Sequence, residues 1–141
     1  MAEKKPVVKE SAMTPKYGEW AFLLGVLLAL IVGLFSTYLP GMASVYILAV
    51  MVLLGFVVGF LNVSEKETMA FLIATIALLS VISSWGPVAA VITTVATQVG
   101  LGTYGALLVA KLANVLAMLA SFVAPAALIV ALKQIYELAA K

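Results

Sequence analysis

"GALLVAKLANVLAMLASFVAP", residues 105–125, is a long apolar run with Lys111 and Asn114 set inside it. If a membrane span ended at Lys111 and the chain turned back there, the protein would cross the bilayer five times. If Lys111 marks the edge of the bilayer, it crosses four times. No Gly or Pro stands at 111–114 to make a turn, and the pattern around it is helical,. A fifth span would also strand the C-terminal lysines on the opposite side. Counting back from Lys133 by the roughly 20 residues a span needs reaches Ala113. Lys111 then falls at a boundary, where its stem can carry the ammonium to the headgroups. Four crossings is the reading.

Composition agrees with a bilayer as solvent. Of 141 residues, 65% are hydrophobic and 10% charged, where a soluble domain has roughly 45–50% and about 25%. Mean hydropathy is +1.24. Cys and His are absent, which removes disulfides, thiol catalysis, zinc sites and histidine proton chemistry together. The scarcity of Asn and Gln is in the direction of a thermophile, although membrane spans are poor in amides anyway.

The first span is expected at 20–38, "WAFLLGVLLALIVGLFSTY", with aromatic residues at both ends for the two interfaces,. Its apolar core exceeds the h-region of about 7–15 residues in a signal peptide, and no clean small-residue cleavage site follows, so it stays as an anchor. Leu39-Pro40-Gly41 reverses the chain into a second span, 43–61. Ser64 and Glu67 read as a capping box for the third span, 69–85, with Glu65 and Glu67 on the positive end of its dipole. Asn62-Val63-Ser64 matches a glycosylation tripeptide, discounted in a loop expected to face the cytoplasm. Trp85-Gly86-Pro87 should halt span three. Residues 88–105, uncharged and rich in Thr and Gly, predict a short helix after Pro87, lying in the interface or re-entering the protein. The fourth span is expected at 112–132, with Pro125 kinking it and the freed carbonyl satisfied by Ser121 or a water.

The fold class expected is therefore all-α. It is a polytopic membrane protein of four transmembrane helices in two antiparallel hairpins (domain 19–132), with a polar tail at 1–18 and a helical tail at 133–141. Lys4, Lys5, Lys9, Lys16, Lys66, Lys133 and Lys141 all fall on one side of such a protein, while 39–42 and 86–104 carry no charge. The lysine bias makes that side cytoplasmic, with both termini inside the cell membrane's inner face.

Greasiness cannot hold helices together in lipid; small residues four apart can, by letting backbones approach. Span one carries Ala21, Gly25, Ala29 and Gly33; span two Gly55 and Gly59; span three Ala70 and Ala74; span four Ala106, Ala110, Ala113, Ala117 and Ser121. These ridges serve either packing within the bundle or contact between copies, with span one, through Gly25, Ala29 and Gly33, the expected subunit contact. Ser80, Ser83 and Ser84 are expected to bond their own helix one turn back. Lys111 is expected to be an anchor and Asn114 a helix–helix hydrogen-bonding residue; the functional alternative makes the pair a polar site at a pore mouth or for a lipid headgroup.

No Asp, Glu or His lies within any expected span, whereas ion-coupled transporters and carboxylate metal centres use such groups at mid-membrane. No Walker loop, paired carboxylates or activated nucleophile is present. The expectation is a protein that is not an enzyme, with no cofactor and no metal, whose partners are the lipid bilayer and its own copies.

Residues 55–79, "GFVVGFLNVSEKETMAFLIATIALL", and 122–140, "FVAPAALIVALKQIYELAA", resemble a group of short, uncharacterised prokaryotic membrane proteins, mostly archaeal, with the same closing helix. The resemblance covers about a third of the chain and implies a stand-alone small membrane protein of prokaryotic origin. It brings no catalytic or binding residues to positions here. The function expected is a self-associating structural or membrane-organising unit. The alternatives are an accessory subunit docked on other membrane proteins, or a small channel or carrier lined by residues 88–105 with Lys111. Nothing points to nucleic acid.

Overall fold

A computed structural model describes the backbone of residues 16–62 and 67–141, and side chains of 19–61 and 67–141. The expected capping residue Ser64, the N-terminal lysines 4, 5 and 9, and Glu65 and Lys66 lie outside the described residues. Five helices account for nearly all the rest: α1 (Lys16–Phe35), closed by a 3-10 turn (Ser36–Tyr38), α2 (Gly41–Asn62), α3 (Thr68–Ser83), α4 (Trp85–Gln98) and α5 (Gly102–Ala140). Three helices are long and apolar enough to cross a membrane, and a fourth crossing exists only if α3 and α4 together form one.

The breaks follow from local chemistry. Leu39, preceding Pro40, is forced into extended backbone (ψ 134°) and ends the 3-10 turn,. Pro87 is the third residue of α4. It has no N–H to offer the carbonyl four residues back, so α3 cannot run on through it, yet the first turn of a new helix accepts it without loss. The chain breaks at Ser84 and the two helices meet at 49°. The sequence reading put a short helix after Pro87; the helix begins before it, at Trp85.

α4 ends in a Schellman turn. Gly100 takes φ +79°, its N–H reaches the Thr97 carbonyl at 3.1 Å, and the Leu101 N–H reaches the Ala96 carbonyl at 2.7 Å,. Only glycine takes that φ without a Cβ penalty, so Gly100→Ala should lower stability by about 1 kcal/mol. Unfolding in mixed SDS micelles reads it; an unchanged midpoint would mean that the turn rearranges freely.

Past the turn, α5 runs for 39 residues without a break. The expected fourth span, 112–132, is thus an inner stretch of one helix about 58 Å long,. This helix organises the fold. Of its apolar window 44% is buried, against 17% in α1 and 22% in α2, and the other four helices all pack on it. α1 and α2, joined by the 39–41 turn, touch each other less than either touches α5, so the contact that holds each of them is with the last described helix rather than with its hairpin partner.

Glu67 caps α3 with helical backbone and no side-chain cap hydrogen bond. The capping box needs it three residues into the helix, so that role does not arise. The third-helix hydroxyls behave as expected at Ser80 and Ser83, which donate to the carbonyls of Ile76 (2.8 Å) and Leu79 (2.9 Å), while Ser84 sits at the break. Near Pro125, which stands inside α5, the Ser121 hydroxyl donates to the Ala117 carbonyl at 2.8 Å rather than serving the carbonyl that Pro125 frees.

Candidate functional site

The glycines singled out in the first two helices all face α5. A Cβ on Gly25 would stand within 2.8 Å of three atoms of the Phe122 ring. One on Gly33 would meet the Val115 backbone, with the nitrogen at 2.9 Å. Ala29, between them, is fully buried. As numbers rise along α1 they fall along α5, so these helices are antiparallel. On α2 the relation is parallel: Gly55 meets the Phe122 carbonyl and the Pro125 ring (Cγ at 2.6 Å), and Gly59 meets the Ala126 carbonyl oxygen at 2.7 Å. The Cα–H groups of Gly55 and Gly59 therefore point at carbonyl oxygens spaced four residues apart on α5, the weak C–H···O pairing that close glycine crossings permit.

Phe122 is the meeting point. It is fully buried, and its ring lies 5.8 Å from that of Phe22, which in turn stands edge-on to Phe71 of α3 at 5.8 Å. α1 thus packs on the Phe122 ring, α2 on its backbone carbonyl, and α3 reaches it through Phe22. Sequence reasoning missed Phe122, and one signal was available: two glycine ridges need a bulky residue between them to fill the space they open.

Because α1, α2 and the α3–α4 pair share one half of α5, the other half carries no helix among the described residues. Ala106, Ala110 and Ala117 are exposed there and Ala113 and Ser121 half-buried, all within one strip at helical spacing,. On α3, Ala70 and Ala74 are also exposed. The small-residue ridges therefore divide. Those of α1 and α2 are covered within the chain, whereas those of α5 and α3 are open.

Register also fixes the polar pair. The Lys111 Nζ stands 5.9 Å from the centre of the Tyr38 ring, level with the α1–α2 turn, a cation–π distance. Among the described residues it pairs with no acid. Asn114, almost one turn on, is half-buried and its amide makes no hydrogen bond among the described residues, so the expected helix–helix bond is not formed. A second unpartnered donor, the buried Trp85 Nε1, sits at the α3–α4 break. Gly105 lies against Ala96 across the α4–α5 hairpin, so α4 is antiparallel to the start of α5.

Above Lys111, nine residues of α5 (102–110) and the facing α4 overhang the α1–α2 turn by about 13 Å. This overhang carries no charge. The overhang at the other end, from Lys133, carries Lys133, Glu137 and Lys141. Among known proteins, no family model, curated protein or solved structure matches the chain. The class that the fold defines is that of small helical membrane proteins with three to four candidate spans.

Proposed function

We propose that this is a non-enzymatic integral membrane protein that associates with copies of itself, a structural or membrane-organising unit with both termini in the cytoplasm. The observation that carries the reading is the uncovered strip of Ala106, Ala110, Ala113 and Ala117 on α5. In lipid, a flat strip of small side chains gains dispersion contact against another helix that it cannot gain against mobile acyl chains. The exposed Ala70 and Ala74 of α3 offer a second such surface. The glycines of α1, the expected subunit contact, already oppose Val115 and Phe122 of the same chain, so the contact between copies falls to α5. Orientation rests on the lysines at the end where α1 begins and α5 finishes.

The test separates fold from assembly. Ala110→Leu and Ala117→Leu should shift the purified protein in mild detergent from oligomer to monomer while leaving the unfolding midpoint within about 0.5 kcal/mol, as for surface substitutions. A wild-type protein that is monomeric in its native membrane, or one found only with a different stable partner, sinks self-association; the second result favours an accessory subunit.

A further inference from the structure

Between α4 and the first turns of α5 runs an apolar groove of about 460 Å³, lined by Val91, Val95, Leu101, Tyr104, Gly105 and Leu108 among others. It lies wholly in the uncharged overhang, beyond the α1–α2 turn. Gly105 makes it: with no Cβ there, α4 and α5 touch at Ala96 and open above the contact. Along α5, Tyr104, Leu108 and Lys111 follow at steps of four and three residues, so they share one helix face. Lys111 does not itself line the groove, but it follows Leu108, the last lining residue of α5, by less than one turn on the same face,. The Lys111 side chain is half-buried, its ammonium stands 5.9 Å from the centre of the Tyr38 ring, and it has no acidic partner among the described residues. A cation at the edge of an apolar medium is relieved by an anion.

We propose that the groove and Lys111 form one site for a single-chain anionic amphiphile, a long-chain fatty acid, with its alkyl chain between α4 and α5 and its carboxylate at the Lys111 ammonium. The charge complementarity comes from the lone lysine, and the apolar match from a groove with almost no polar surface. Direction distinguishes this occupant from bulk lipid. With α1 and α2 filling the bilayer, Lys111 stands at the boundary and the groove rises away from the hydrocarbon. A phospholipid of that leaflet points its chains the other way, so it cannot fill the groove by lying beside the protein. A soluble single-chain acid can enter the open groove sideways from the aqueous side, with its carboxylate toward Lys111.

The experiment uses the full-length protein in phosphatidylcholine nanodiscs, titrated with palmitic acid carrying a diazirine on its chain. Saturable binding is expected, with photolabelling confined to residues 88–108. Palmitic acid methyl ester should bind about tenfold more weakly, the loss expected of one charge-assisted hydrogen bond. Lys111→Met should lose the same factor, Lys111→Arg should keep most affinity, and Val95→Trp should block the groove. Because the acid-to-ester comparison needs no variant, it stands even if a substitution unfolds the hairpin. Equal binding of acid and ester, label spread evenly over α1 and α2, or cross-linking of the groove to a second copy with no palmitate bound would each overturn the proposal. Oligomeric state does not enter these readouts, so the site stands or falls apart from self-association.

Discussion

Gly55→Leu is expected to cost more than about 3 kcal/mol and to detach α2 from α5. Overpacking a membrane or soluble core ordinarily costs about 1–3 kcal/mol because neighbours move aside. Here the neighbours are the Phe122 carbonyl and the Pro125 ring, neither of which can turn away. The carbonyl belongs to helix backbone and the ring is fixed by its own chain. Unfolding in mixed SDS micelles measures the loss, and a cysteine pair across α2 and α5 reports whether the helices still meet. A midpoint within 1 kcal/mol of wild type, on the ordinary scale of overpacking, would show that the crossing has slack which the glycine does not fill.

The second large effect belongs to Phe122→Ala. Truncating a fully buried Phe costs about 3–5 kcal/mol, through lost contact and the cavity left behind,. This position also allows a finer test. The atoms crowding Gly25 are the ring of Phe122, whereas those crowding Gly33 are the backbone of Val115. Gly25→Ala should therefore be damaging alone and largely rescued by Phe122→Leu, a coupling of about 1–3 kcal/mol in a double-mutant cycle. Gly33→Ala should find no rescue in any side chain of α5. Coupling of the same size at both glycines would mean that the ring and the backbone yield equally, against the geometry.

How much of this was legible in the sequence depends on the element. α1 and α2 were, because nearly twenty apolar residues between aromatic ends and a Pro-Gly turn leave a membrane helix few alternatives. That Gly25, Ala29, Gly33, Gly55 and Gly59 lie against another helix was legible too, but not which helix. A small-residue ridge states that something approaches closely and is silent on whether it comes from the same chain. The start of α5 was misread for a different reason. Counting back a bilayer's worth of residues from Lys133 assumes that a helix stops where the membrane does. Gly100 shows that it stops where the backbone can turn, eleven residues before Lys111. Asn114 and Trp85 carry polar groups left without a partner among the described residues, which no local pattern could foretell, because pairing is set by packing between distant segments.

The dependence of every other helix on α5 has a consequence for biogenesis. The ribosome makes α5 after the other four helices, yet Gly25 faces the Phe122 ring and Gly55 the Phe122 carbonyl. Until the C-terminal third has entered the bilayer, α1 and α2 have each other to pack on but not the helix that both touch more. Assembly of these helices is thus completed only after α5 is made, and a chain interrupted before residue 122 leaves inserted helices that quality-control proteases meet without it.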